Sequence, residues 1–348
     1  MRTLHRLLAV LFVPSTLAAQ QSERIVLEGR DVAIYNLAGR LRVEGGTGDR
    51  VVVEVTRGGR DAGKLKLETG VVHSRMALRV RYPSDRVTYS DDRWRGRTTI
   101  RVDEDGVFGD NNGRWDDLRQ VVIDSDGDGL DAHADLRVIV PRGMRLALRL
   151  GVGETTIDNV EGTLSVEVQA ARVRVSRVRG SLELESGSGS AEISDVTGDV
   201  HAESGSGGMT VNGIRGGTLK LESGSGGLRG SALDVTELEA EAGSGGIRLT
   251  GVKTNRLQVE TGSGGCDVEL LAATEDISIE TGSGGVTLRM PPTTNATVDI
   301  ETGSGGIETD FDVRQTRIER GALRGTIGSG SDRIKIEAGS GKVHLAKS

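Results

Sequence analysis

The phrase Glu260-Thr261-Gly262-Ser263-Gly264-Gly265 recurs down the second half of the chain. Close variants begin at Glu185, Glu203, Glu222, Glu241, Glu280 and Glu301, with a late copy at Glu337. From Glu185 to Glu301 the steps between glutamates are 18, 19, 19, 19, 20 and 21 residues. Self-similarity at a period near 20 residues points to a stack of like units, since one unit alone cannot bury its apolar face. Within a unit, Ile247-Arg248-Leu249-Thr250 and Leu257-Gln258-Val259-Glu260 alternate apolar and polar side chains. That is the two-residue period of a half-buried strand. Gly-Ser-Gly-Gly separates two such strands, and a Val-x-Gly corner follows, as at Val160-Glu161-Gly162, Val178-Arg179-Gly180 and Val196-Thr197-Gly198.

These observations predict an all-β fold, a right-handed parallel β-helix with about 18–21 residues per coil. Glycine at the Gly-Ser-Gly-Gly corner is expected for left-handed backbone angles and for close stacking of coils. In register, the repeated glutamates would form a ladder with rungs about 4.8 Å apart. The bland role for each carboxylate is to accept amide hydrogen bonds from the glycine corner; a weak cation-collecting edge is the alternative. Gly-Ser-Gly-Gly lacks the downstream Lys-Ser/Thr and helix of a phosphate loop.

The organisation expected is an export signal over residues 1–20, a degenerate repeat region over 21–145, and regular coils over 146–348. The signal is read from Arg2, His5 and Arg6 ahead of a short apolar run, Leu7 to Val13, ending in small residues near Ala18 and Ala19. The run is too short to span a bilayer, and no later segment is long enough, so no transmembrane segment is expected. The chain is therefore expected to be exported to the periplasm, the cell surface or the medium. The early region carries weak repeat copies at Leu41-Arg42-Val43-Glu44 and Leu65-Lys66-Leu67-Glu68. A polar insertion at about 84–134 interrupts it, holding Tyr89, Trp94, Phe108 and Trp115.

The motif–spacing pattern resembles bacterial "putative adhesin" β-strand-repeat proteins, a family with no assigned function. The stretch from Leu288-Arg289-Met290-Pro291-Pro292 to Ile300-Glu301-Thr302-Gly303-Ser304-Gly305 is particularly similar. The resemblance implies an exported right-handed parallel β-helix and transfers no catalytic residues.

Candidate chemistry is sparse. Asp124-Ser125-Asp126-Gly127-Asp128-Gly129, followed by Asp135, places acids at positions one, three, five and twelve with glycine at six. This is the oxygen-ligand spacing of a calcium loop. Asp124, Asp126, Asp128 and Asp135 are thus candidate ligands for calcium, the one cofactor suggested. Asp135 replaces the usual bidentate glutamate and strands rather than helices flank the loop, so a solvated acidic turn competes. Asp91-Asp92-Arg93-Trp94-Arg95 offers aromatic and guanidinium groups to a sugar or an acidic polymer; a ligand-free mobile insertion is the alternative. Cys266, the single cysteine, reads as a small buried hydrophobe. The widely spaced histidines and the absence of a serine elbow argue against an enzyme. A net charge of -7 argues against nucleic acid as a partner.

The functional expectation is an exported, non-enzymatic solenoid acting as a structural or adhesin-like interaction protein of the cell envelope. Its partner would be an unidentified protein or polysaccharide of the envelope or surface. A polysaccharide-binding or polysaccharide-cleaving β-helix, and a calcium-binding envelope module, are the alternatives. The strand edge at Lys342-Val343-His344-Leu345 is expected to be open and available for end-to-end self-association.

Overall fold

The computed structural model describes residues 22–91, 94–109, 118–319 and 321–348. The predicted signal lies outside them. Strand is the dominant element of the described residues, with one short 3-10 turn at Ala62–Lys64 and no α-helix. From Met144 onward, successive coils pair in parallel. Leu164 lies beside Leu182, Leu182 beside Val200, Val200 beside Leu219, Leu219 beside Leu238, Leu238 beside Leu257, and Leu257 beside Ile277. All these side chains are buried. The sequence alternation therefore becomes an aliphatic column, and each rung is stabilised by burial against the next.

The sheet as a whole is mixed, so the expectation of parallel pairing throughout fails at both ends of the stack. At the N-terminal end, Asp31–Gly45 lies parallel to Met144–Asp158 and to His133–Val140. Val51–Gly58, by contrast, runs antiparallel to Ser22–Leu27 and to His133–Val140, and Lys66–Val72 antiparallel to Arg75–Arg81. At the other end the coil order departs from the chain order. Asp332–Ala338 enters between Asp276–Thr281 and Ala296–Thr302, parallel to both. Val343–Lys347 likewise enters between Val286–Met290 and Ile307–Thr309. Glu280 thus meets Glu337 rather than Glu301. The antiparallel pair Ala322–Ile327 and Val313–Glu319 closes the outer side of Ala296–Thr302.

This arrangement overturns the expected open edge at Lys342 to Leu345. Both edges of Val343–Leu345 are already paired in the ladder, so that stretch has no free edge to offer another copy. The sequence misled here because a step of 21 residues from Glu280 to Glu301 is compatible with direct stacking.

The described part of the stretch expected to be a polar, mobile insertion forms a four-stranded sheet instead. Arg97–Val102 pairs antiparallel with Arg119–Asp124, which pairs parallel with Arg86–Thr88, itself parallel to Leu130–Asp131. Val87, Ile100, Val102, Val121 and Ile123 are buried in a core continuous with the coils. Phe108 packs edge-on against Tyr35 of the first coil, with ring centroids 6.1 Å apart. Close by, the buried Asn36 amide donates to the Ala134 carbonyl at 2.7 Å, and the buried Tyr82 hydroxyl donates to Asn36 Oδ1 at 2.8 Å. No helix among the described residues is long and apolar enough to cross a membrane.

Candidate functional site

The repeated phrase builds one edge of the stack. Its glutamates lie in register as Glu185, Glu203, Glu222, Glu241, Glu260, Glu280, Glu337 and Glu301. The hydrogen bonds that organise the turn come from the next residue, not from the carboxylate. The Ser204 hydroxyl donates to the Gly207 carbonyl at 2.8 Å, and the Thr281 hydroxyl to the Gly284 carbonyl at 2.6 Å. Where a coil has Ala242 or Ala338 at that position, the next coil supplies the donor. Thr261 Oγ1 donates to the Gly245 carbonyl at 3.2 Å and Thr302 Oγ1 to the Gly341 carbonyl at 2.9 Å. Both threonines also accept an amide from their own turn, Gly264 and Gly305, at 3.1 Å.

Glycine at this edge answers to crowding rather than to backbone angle, which corrects half of the sequence expectation. None of the Gly-Ser-Gly-Gly glycines has a positive φ. A Cβ on Gly264 would lie 2.1 Å from the Gly245 carbonyl oxygen, and one on Gly262 2.3 Å from that of Gly243. Left-handed glycines stand instead at the other corner, at Gly180 with φ 126° and Gly198 with φ 140°. The glutamate edge encloses a shallow groove lined by Glu260, Glu280, Glu301 and Glu337. Local cations already meet part of it: Lys335 lies 2.6 Å from Glu337, and Arg324 is ion-paired with Glu301.

The acidic turn is placed as a turn. Gly127 has φ 140°, the left-handed role expected of position six. Asp124, Asp126 and Asp128 line one small recess with Arg86 and Arg97. Asp124 accepts the Asp126 amide at 3.2 Å and Arg97 Nε at 2.7 Å, and these bonds hold its carboxyl below the usual range. Asp135 does not join them. It lies on the His133–Val140 strand, where its Oδ1 accepts the Arg40 amide at 2.8 Å. Among the described residues, no three His, Cys, Asp or Glu side chains gather as a ligand set.

Other sequence candidates are occupied in packing. Tyr89 stacks at a tilt on Trp94, centroids 6.0 Å apart, and meets His133 edge-on at 5.3 Å. Asp92, Arg93 and Trp115 lie outside the described residues. Cys266 is buried, and desolvation pushes its thiol up to about 12, so little thiolate forms near neutrality. His201 sits 3.7 Å from Glu222 and His344 3.5 Å from Asp310, on separate coils.

The concave feature that the sequence reading missed lies at the Val-x-Gly corner. There a ladder of left-handed residues climbs the stack: Asn159, Arg177, Asp195, Gly213, Ala232 and Gly251, with φ between 53° and 67°. Just beyond these residues, the central residues of the corner triplets also stack: Arg179 lies beside Thr197, and Thr197 beside Arg215, whose triplet is Ile214-Arg215-Gly216. With the Gly45-Gly46-Thr47 loop these columns enclose a groove of about 410 Å³, lined by Arg142, Arg177, Arg179 and Arg215 and by Glu161 and Asp195. Arg142 lies 3.6 Å from Glu161, and Arg177 is ion-paired with Asp158. Arg179 and Arg215 are exposed and make no ion pair among the described residues. Reading down the x position of Val-x-Gly, coil against coil, would have shown this column; reading along the chain scatters it.

Against known proteins, the Toastrack DUF4097 family model matches residues 164–346, more than half of the chain. No curated protein matches it. One solved structure, described as a "putative cell adhesion protein" from Clostridium sporogenes, aligns over 94% of this chain and 99% of its own. Its identity is 10% and its TM-score 0.22, agreement too low to argue from.

Proposed function

The chain belongs to the Toastrack DUF4097 family, and on that premise we propose that it is an exported, non-enzymatic interaction protein of the cell envelope, its coils wound as a right-handed parallel β-helix. The observation that carries this reading is the division of labour within each coil. Interior positions are aliphatic and turn positions are taken by glycine and by hydroxyls that bond the turn, which leaves chemistry to the outward columns. Export is supported by the charged start, short apolar run and small residues of positions 1–20. The adhesin-like role rests on the family resemblance of the repeat and on an outward surface that offers charge and a groove.

No catalytic residue and no cofactor enter this proposal. Calcium at the acidic turn would need other oxygens than Asp135, which is committed to Arg40. A calorimetric titration with millimolar calcium, repeated on Asp126→Ala, decides whether the turn binds it.

The test of the main reading has two arms. A phosphatase that is active only after export, fused behind residues 1–30, should be active. The purified chain without its signal should retain a partner from envelope extract and none from cytosol. Deleting 84–134 is a poor control, because Val87, Tyr89 and Phe108 belong to the core. An inactive fusion, or capture from cytosol alone, would overturn the reading.

A further inference from the structure

We propose that the corner groove is a binding site for a carboxylated polysaccharide, gripped by Arg179 and Arg215. This deepens the envelope reading and rests on it. Arg179, Thr197 and Arg215 occupy three consecutive rungs of one column, so the two arginines stand two rungs, or about 10 Å, apart. Along an extended two-fold chain of uronic acids, every second residue turns its carboxylate to the same side, so like-facing carboxylates recur at a similar interval. A guanidinium meets a carboxylate through two parallel N–H donors, a fit that lysine does not offer.

Arg142 and Arg177 in the same groove have Glu161 and Asp158 as partners. Arg179 and Arg215 have no ion pair among the described residues and stand exposed. The corner itself explains why they stand clear: the residue just before each of their triplets is left-handed, Arg177 ahead of Val178-Arg179-Gly180 and Gly213 ahead of Ile214-Arg215-Gly216.

Four arginines share the groove with Glu161, Asp195, Thr47, Thr197 and Asn159. Continuous polyphosphate would meet the two carboxylates unfavourably, and the chain as a whole carries -7. A chain that alternates acids with neutral hydroxyls would not. Its hydroxyls can donate to Glu161 and Asp195 and accept from Thr47, Thr197 and the Asn159 amide. The groove volume of about 410 Å³ lies within the range of small-ligand sites and suits a short run of sugar rings. Its described lining holds no aromatic ring, so recognition depends on charge and hydrogen bonds and should weaken with salt.

The experiment uses the chain without its signal and polygalacturonate as probe, with neutral dextran, poly(dT) and phosphatidylglycerol vesicles as comparison ligands. Binding is measured by calorimetry at low and moderate salt. The proposal expects binding to polygalacturonate and none to dextran. It expects at least tenfold weakening in Arg179→Ala/Arg215→Ala, with an unchanged far-ultraviolet spectrum and urea midpoint. The control Arg229→Ala/Arg248→Ala, which changes two exposed arginines of another column, should bind as the parent does. Absence of binding to polygalacturonate, or equal binding by the double variant, overturns the proposal. So does stronger binding of poly(dT) or of vesicles through the same arginines. If the double variant loses polygalacturonate but still captures its partner from envelope extract, the groove assignment stands and that partner binds elsewhere. If the export fusion is inactive, the envelope reading fails independently of the groove.

Discussion

The two corners of a coil solve the same geometric problem by different means. At the glycine edge the backbones of neighbouring coils touch. The first two glycines of each inner phrase have no room for a Cβ, and at coils such as those of Ser204 and Thr281 the buried hydroxyl ties the turn. At the Val-x-Gly corner only the glycine is crowded, as at Gly180, whose Cβ would lie 2.0 Å from the Gly162 carbonyl oxygen. The position before the triplet and the one at its centre vary, and along the groove they hold Asn, Arg and Asp before it and Glu, Arg and Thr at its centre. Repetition therefore marks the edge where substitution is sterically forbidden, and variation marks the edge where a surface can be specialised.

The contrast can be tested by attacking each edge in turn. The largest effect should come from Gly284→Ala, because the new Cβ would stand 1.8 Å from the Gly264 carbonyl oxygen and 2.4 Å from its carbon. Backbone cannot yield as a flexible side chain does, so a loss of about 3 kcal/mol or more is expected in urea unfolding. Thr261→Val should cost about 2 kcal/mol, since it leaves the Gly264 amide and the Gly245 carbonyl without their shared hydroxyl. Thr261→Ser should recover most of that loss. At the other corner the sign should reverse: Ala232→Gly relieves a left-handed alanine at φ 53° and should stabilise by about 0.5 kcal/mol.

The smallest effect concerns charge at the base of the displaced last coil. Asp276 receives two hydrogen bonds from Arg333, both at 2.9 Å, and this pairing lowers its carboxyl from the usual value. A depressed carboxylate contributes stability above its unfolded value of about 3.9, and the contribution is lost as pH falls through the lower folded value. Stability should therefore fall below about pH 4, and Asp276→Asn should flatten part of that decline. The urea midpoint measured across pH 2.5–5.5 in both proteins checks this, and parallel curves would remove Asp276 from the account.

Much of the architecture is legible in the sequence because steric necessity repeats. The alternation at Ile247 to Glu260 and the recurring phrase give the strands, the coil length and the in-register glutamates. The last position of the phrase is legible too: Ser190 and Lys342 stand where other coils have glycine, and on those glycines a Cβ would stay 3.2 Å or more from any neighbour. What was hidden depends on neighbours in space. The displacement of Glu301 by Glu337 leaves the period intact, so no local residue announces it. The strands of the insertion are two to six residues long, and their few inward residues, such as Val87 and Ile123, are diluted by charge. The groove is drawn from segments running from Gly45 to Arg215, and no single stretch contains it. The spacing from Asp124 to Asp135 suggested one site, but the strand that follows the turn carries Asp135 to a different partner.

The most direct measurement compares two adjacent residues, Gly264→Ala and Gly265→Ala, in urea unfolding. A Cβ on Gly264 would meet the Gly245 carbonyl oxygen at 2.1 Å, whereas one on Gly265 would meet the nearest atom at 3.4 Å. The account predicts a loss of about 3 kcal/mol or more for the first and a change within about 0.5 kcal/mol for the second. Equal losses at the two positions would contradict it, since glycine would then be required along the whole phrase for a reason other than contact between coils.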